Sequence, residues 1–286
     1  MKLKIAVPSK GRISEPTIAI LEKAGLKLED PENRRLFSKT THWNIEVMFV
    51  RASDIGAYTE DDVVDMGVTG LDLIKESNAD VEILGDLEFG KTSLVLASPE
   101  DSKIESIEDV KDNMIIATEF PNLTKTYLKS KNLNLKIHQL SGSTEIAPFI
   151  GVSDLISDLT STGETLKKNH LKIIDTILNS SVKLIANKNS YLEKKELIDM
   201  VKISLQGVIE AKDKKLLIMN IKKKDLDKIK EILPSMTGPT ISEVLAKEES
   251  LAIQVIISEN QVFEIVKKLK SAGAKDILVV PVERII

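Results

Sequence analysis

The sequence predicts a mixed α/β protein: two similar lobes facing one cleft, then a small separate domain. Three observations predict it. In the first half, short β-branched runs alternate with helical patterns, which favours parallel strands joined by crossover helices. Two segments, Asp65–Asp72 running into Leu73-Ile74-Lys75 and Leu155–Thr165 running into Leu166-Lys167-Lys168, share a strand–turn–helix plan. Each puts a small-residue turn at the carboxyl end of a strand, the ligand-binding edge of an open α/β sheet. From about Lys212 the order becomes β-α-β-β-α-β, the ferredoxin-like plan.

The elements follow in order. Strands are expected at Leu3–Pro8, Ile45–Arg51, Met66–Thr69, Thr92–Ala97, Met114–Thr118 and Leu155–Leu159. A helix after the first strand is expected to be capped by Ser14, with Pro16 in its first turn, Ile13 and Ile18 as a hydrophobic staple and Gly25 at its end. Ile83–Gly90 reads as the crossover between lobes, and the chain returns through a strand near Ser180–Ile185 into a polar helix from Leu192 to about Ala211. The last domain reads as strand Leu216–Ile221, helix Lys224–Leu233, strands Thr240–Leu245 and Leu251–Ser258, helix Gln261–Ser271 and strand Ile277–Val282.

Composition narrows the function. With 44 acidic residues against 40 Lys+Arg in 286 residues, the formal charge is -4, so no overall positive field holds nucleic acid or an anionic membrane. Aromatics at 3% argue against a stacking platform for single-stranded nucleic acid. No apolar run approaches the roughly 18 residues of a membrane span, and the start, MKLKIAVPSKGRI, lacks the pattern of a signal peptide, so a cytoplasmic location is expected. Zero cysteines exclude disulfides, thiolate nucleophiles and Cys-type metal sites. The Lys-rich stretches Lys212–Lys215 and Lys222–Lys230 are interleaved with Asp213, Asp225, Asp227 and Glu231, which favours a solvated helical face over an anion patch.

Two places carry chemistry. Lys10-Gly11-Arg12 sits where the first strand turns into a helix, so backbone N–H groups, the positive helix end and two cations suit a phosphate. A plain βα turn with solvated charges is the other reading. In the second lobe, the hydroxyls and glycine of Ser161–Thr165 open a helix as a nest of O–H and N–H donors without a lysine. Asp154 and Asp158 beside it would accept hydrogen bonds from sugar hydroxyls, which suggests a phosphorylated sugar. An ordinary Ser/Thr/Gly turn is again the alternative. His42, His138 and His170 are scattered without metal-ligand spacing.

The ordered motifs Val7-Pro8-Ser9-Lys10-Gly11-Arg12, Gly67-Val68-Thr69-Gly70-x-Asp72, Ala117–Thr124, Ser143–Pro148 and Asp158-Leu159-Thr160-Ser161-Thr162-Gly163-x-Thr165 resemble those of the ATP phosphoribosyltransferases. The resemblance continues through Leu233–Ser242 and Ser271–Ala274, and so spans the regulatory domain of the long form. It implies a two-lobed fold like type II periplasmic binding proteins plus the ferredoxin-like domain, with residues 1–88 and 181–211 as one catalytic lobe, 89–180 as the other and 212–286 as the regulatory domain. It implies that adenine N1 of ATP joins C1 of phosphoribosyl pyrophosphate, with Mg2+ required and pyrophosphate released, as the first step of histidine biosynthesis.

By that analogy Ser161, Thr162, Gly163 and Thr165, with Asp158, hold the sugar 5′-phosphate. Glu145 and Asp154 lie near the ribose; Lys10, Gly11, Arg12 and Arg51 meet polyphosphate; Asp72 and Glu119 line the nucleotide and sugar side. Lys10, Arg12, Glu145 and Asp154 are the catalytic candidates, and the protein ligands of the metal are unassigned. The small domain is expected to bind L-histidine as a feedback inhibitor between subunits of a hexamer, around Asn220, Thr240, Ser271, Gly273 and Ala274. Ala52 stands where the family commonly has proline, and Asn220 where an acidic residue occurs. A cytoplasmic sensor of a small solute on the same two-lobed fold is the competing reading.

Overall fold

In the computed structural model the described residues are 2–29, 36–233, 238–245 and 249–286. The part of the Leu233–Ser242 motif at 234–237 therefore lies outside them. The chain divides into two compact units, residues 1–202 and 203–286.

The first unit contains strands β1 Leu3–Pro8, β2 Phe37–Lys39, β3 Ile45–Val50, β4 Met66–Gly70, β5 Glu82–Asp86, β6 Thr92–Pro99, β7 Ile115–Thr118, β8 Lys136–Gln139, β9 Leu155–Thr160, β10 Leu171–Ser180 and β11 Val182–Ala186. Its helices are α1 Ser14–Lys23, α2 Ile55–Glu60, α3 Leu71–Ser77, α4 Pro121–Ser130, α5 Glu164–Lys168 and α6 Lys188–Glu193, and α7 Lys195–Glu210 follows. Two sheets form the two lobes, in the orders β2-β3-β1-β4-β11-β5 and β10-β6-β9-β7-β8. Both are mixed rather than purely parallel. β1 runs parallel to β3 and β4, and β9 and β8 run parallel to β7, while β11 and β6 return antiparallel.

Central strands are almost wholly apolar because helices cover both faces. Leu3, Ile5 and Val7 of β1 and all of β4 are buried. Gly67 in β4 lets α2 approach closely. A Cβ there would sit 2.5 Å from Ile55 Cγ2 and 2.8 Å from Thr59 Oγ1. Gly67→Ala is expected to lower stability by about 1–3 kcal/mol through overpacking, read as a lower denaturation midpoint with an unchanged m-value.

Several expected elements differ. Ser14 does not cap α1; its hydroxyl donates to the Pro8 carbonyl at 2.7 Å, and Ile13 occupies the cap position without a side-chain bond. The first half of Ile83–Gly90 is not a crossover, since β5 hydrogen-bonds to β11 through Asp86. The crossover is the short stretch after Asp86, beside the return at Ser180–Ser181: Leu87 N–H donates to Val182 O and Val182 N–H to Phe89 O. β2, β8 and β10 were not expected; their side chains are polar or mixed, and pairing with a neighbour rather than alternation makes them strands.

A further link joins the lobes. The Glu76 carboxylate of α3 accepts the Asn122 and Leu123 N–H groups at the start of α4, both at 2.9 Å, which satisfies donors that have no partner within a helix.

The second unit has β12 Lys214–Lys222, α8 Leu226–Ile232, β13 Thr240–Val244, β14 Ser250–Ser258, α9 Glu259–Ser271 and β15 Lys275–Pro281. Its sheet, β13-β14-β12-β15, is antiparallel throughout, the ferredoxin-like arrangement. Leu217, Met219, Ile253, Val255, Ile229 and Leu269 fill the space between sheet and helices.

Candidate functional site

The parallel register places loops of like chemistry at one edge of each sheet. In the first lobe Pro8 is level with Val50, and Ala6 with Gly67. The Lys10–Arg12 turn, Arg51 and the start of α3 therefore leave the same carboxyl edge. Gly11 takes φ +91°, a region open to glycine, and its carbonyl accepts the Ser14 N–H at 3.1 Å, closing the turn. Lys10, Gly11, Arg12 and Arg51 are exposed there. The Arg12 guanidinium donates to Gly90 O at 3.1 Å, which ties the turn to the crossover. Asp72 is instead buried, with 5% of its surface exposed; its carboxylate accepts the Ser180 hydroxyl at 2.5 Å and its N–H donates to the same oxygen. It braces the return crossover.

In the second lobe Thr118 is level with Ser157, so Glu119 and the residues after Ser157 leave one edge together. Beneath them lies a buried hydroxyl ladder. Thr124 donates to Ser157 at 3.0 Å, and Thr118 accepts the Phe120 N–H at 2.9 Å. Asp158 accepts the Thr144 hydroxyl at 2.5 Å and the Leu159 N–H at 2.7 Å. Thr144 begins the short 3-10 turn that also presents Glu145. Burial pushes the Asp158 carboxyl up; the two hydrogen bonds oppose this and the charge of Glu145 adds to it, leaving a net rise. Glu119 is raised as well, by burial and then by the charges of Asp158 and Glu145. Glu119, Glu145 and Asp158 thus form one electrostatic group.

The Ser161–Thr165 loop follows β9 at this edge. Thr160 Oγ1 accepts the Gly163 N–H at 2.8 Å, Gly163 takes φ +78°, and Ser161, Thr162 and Thr165 are exposed. Asp154 does not join them. It precedes β9, where its carboxylate accepts the Ile115 N–H at 2.8 Å. Six residues of strand put it about 20 Å from the loop, so the expectation that it flanks the nest fails on strand direction.

Asn220 and Gly273 line a polar hollow of about 200 Å³ in the second unit with Lys222, Ser250, Lys275 and Asp276, and Asn220 Nδ2 donates to Asp276 at 3.2 Å. The other expected regulatory positions are elsewhere. Thr240 is exposed on β13 opposite Gln254, the Ser271 hydroxyl donates to Lys267 O at 3.1 Å, and Ala274 is buried in the core.

Sequence reasoning assigned no role to Thr118, Thr124, Thr144, Ser157 or Ser180. The available signal was a hydroxyl in an otherwise apolar strand, as in Ile115–Thr118. Among the described residues no group of three or more His, Cys, Asp or Glu is placed to hold a metal ion, and no helix is long and apolar enough to cross a membrane.

Comparison with known proteins identifies the family. Residues 51–207 match the family described as HisG: ATP phosphoribosyltransferase, and residues 211–284 match HisG, C-terminal domain. A curated relative named ATP phosphoribosyltransferase from Methanothermobacter thermautotrophicus is 55% identical over 286 residues, covering 100% of both chains. One of the same name from Methanocaldococcus jannaschii is 51% identical, covering 99% of this chain and 100% of its own. The solved ATP phosphoribosyl transferase (HisG:HisZ) complex from Thermotoga maritima contains a chain 35% identical, with a TM-score of 0.65, that covers 73% of this chain and 98% of that one. With a family match over more than half its length and relatives of this identity end to end, the chain belongs to the ATP phosphoribosyltransferase family.

Proposed function

We propose that the two-lobed unit joins adenine N1 of ATP to C1 of phosphoribosyl pyrophosphate and releases pyrophosphate, the first step of histidine biosynthesis. The observation that carries this reading is the pairing of unlike edges: an edge with Lys10, Arg12 and Arg51 in one lobe, and hydroxyls with Glu119, Glu145 and Asp158 in the other. Residues 1–88 and 181–211 are read as one lobe, 89–180 as the other, and 212–286 as the regulatory part, with α7 crossing the boundary at residue 203 between the two compact units.

The chemistry follows from charge. As the C1–oxygen bond breaks, positive charge builds on the ribose and negative charge on the departing pyrophosphate. The carboxylate group suits the first and the cationic loops the second. Adenine N1 already carries a lone pair, so the forming bond needs no general base, and orientation of N1 towards C1 supplies much of the rate. Mg2+ adds neutralisation of the leaving group. No group of three or more His, Cys, Asp or Glu among the described residues is placed to hold it, so no protein ligand is assigned to it. Ser161, Thr162, Gly163 and Thr165 hold the 5′-phosphate. Asp72 acts through Ser180 on the crossover rather than on the nucleotide.

Purified protein given ATP, phosphoribosyl pyrophosphate and Mg2+ is expected to generate the absorbance of phosphoribosyl-ATP; a flat trace beside an active control enzyme would remove this reading. Solute binding without turnover would mark a sensor instead. Thr162→Ala is expected to raise KM for the sugar substrate by about 10- to 100-fold, the range for a hydrogen bond to a charged group, with KM for ATP nearly unchanged. Equal effects on both would take the loop out of the sugar site.

L-Histidine inhibits through the second unit, in a homo-oligomer ranging from dimer to hexamer, and the reaction takes place in the cytoplasm. The hollow at Asn220 and Gly273 offers Asp276 for the ammonium or imidazolium and Lys222 and Lys275 for the carboxylate. Asn220→Ala is expected to raise the half-inhibitory histidine concentration about 2- to 10-fold.

A further inference from the structure

The Ser161–Thr165 loop has hydroxyls and amides but no cation. A phosphate monoester carries about -1.5 to -2 charge at neutral pH, and holding it away from water without a counter-charge is costly. The structure supplies a cation that linear sequence does not place there. A cavity of about 450 Å³ is lined by Ser161 together with Lys91, Thr92, Ser93, Asn179 and Lys183.

Strand register accounts for this meeting. Ser93 is level with Thr160 in the antiparallel β6–β9 pair, and Thr92 Oγ1 donates to Thr160 O at 3.0 Å. Followed backwards from Thr92, the chain reaches Lys91 just where β9 gives way to Ser161. On its other side Gly90 O accepts the Arg12 guanidinium. Lys91 therefore stands on the crossover, bracketed by the cationic turn of one lobe and the hydroxyl loop of the other. The second lysine of the cavity is engaged: Lys183 Nζ lies 2.6 Å from Asp86. Burial pushes the Asp86 carboxyl up, but Lys183, the Glu88 N–H and the Ser181 hydroxyl outweigh it and hold it below its ordinary value. Lys91 is exposed, and among the described residues it has no ion-pair partner. A compact ammonium on a flexible stem suits a phosphate as a point charge.

We propose that Lys91 is a substrate-binding residue of the sugar-phosphate site, neutralising from the crossover the 5′-phosphate held by Ser161–Thr165. This rests on the assignment of that loop to the sugar substrate. Lys91→Met is expected to raise KM for phosphoribosyl pyrophosphate by about 10- to 100-fold, the range for a hydrogen bond to a charged group, with KM for ATP changed less than about threefold. Ribose 5-phosphate, used as a competitive probe carrying the 5′-phosphate alone, should lose affinity by a similar factor, and inhibition by pyrophosphate should stay as in the wild type. Lys91→Arg should recover part of the loss. An unchanged inhibition constant for ribose 5-phosphate in folded Lys91→Met overturns the proposal. So does a loss confined to pyrophosphate, which would put Lys91 at the other end of the substrate. Thr162→Ala measured in parallel separates the two failures. If it weakens ribose 5-phosphate while Lys91→Met does not, the loop assignment stands and only Lys91 is wrong; if neither variant weakens it, the loop assignment falls as well.

Discussion

Replacing Asp158 with Asn is expected to lower kcat/KM for phosphoribosyl pyrophosphate by about 10- to 100-fold, the loss of a hydrogen bond to a charged acceptor, while raising the melting temperature at neutral pH. The two effects share one cause. Burial and the neighbouring Glu145 make the charged form of Asp158 unfavourable in the folded protein, even though Thr144 and Leu159 donate to it. The folded carboxyl holds its proton to higher pH than the unfolded one. In the window between their two titrations the folded state binds more protons, so stability falls as pH rises through it and stays reduced at neutral pH. Asn keeps its Oδ1 as an acceptor for the Leu159 N–H and turns its amide N–H towards Thr144, whose hydroxyl then accepts instead of donating, and it cannot ionise. Thermal melts should show the advantage of the variant largest at neutral pH and shrinking on acidification towards the ordinary carboxylate range. Glu119→Gln should move in the same direction, since its carboxyl is also raised. A less stable Asp158→Asn protein with wild-type kinetics would make Asp158 a structural residue. A charge kept at the expense of stability is what a functional site requires.

The parts of the fold that were legible are those where burial dictates residue type. β1 and β4 are buried, largely apolar runs because helices cover them, and β9 is buried over its first half, Leu155–Ser157; each was readable in place. β8 and β10 were not, because their polar and mixed side chains satisfy a pairing partner rather than a core. The site divides the same way. Ser161–Thr165 is a contiguous loop, so its hydroxyls announce themselves in linear sequence. Asp154 was misplaced because proximity in sequence to Asp158 hides strand direction: the two lie towards opposite ends of β9. Asp72 and Ser180, and Ser161 and Lys91, are joined only by register between strands far apart in the chain. Such partners become visible once the sheet order is known.

Lys194→Met is expected to lower the stability of the first unit by about 3–5 kcal/mol, the cost of leaving one member of a buried ion pair without its partner. Asp65 is 4% exposed, and Lys194 Nζ lies 2.6 Å from its carboxylate. The same carboxylate accepts the Lys4 N–H at 2.8 Å and the Ser190 hydroxyl at 2.6 Å, so one acid joins β1, α6 and the start of β4. Asn187 extends the junction, capping α6 through the Asn189 and Ser190 N–H groups and donating to the Thr59 and Glu60 carbonyls. The melting temperature should fall by roughly 10 °C for a unit of this size. Asp65→Asn combined with Lys194→Met should cost less than the sum of the two single changes, because the uncompensated charge is gone. Asp65 precedes β4, at the amino end of the sheet, whereas Lys10, Arg12 and Arg51 leave its carboxyl end. Both KM values of Lys194→Met, measured well below its melting temperature, should therefore match the wild type. A shift in either KM without a loss of stability would show that the amino edge takes part in substrate binding, contrary to a division in which one edge of the sheet carries the chemistry and the other holds the lobe together.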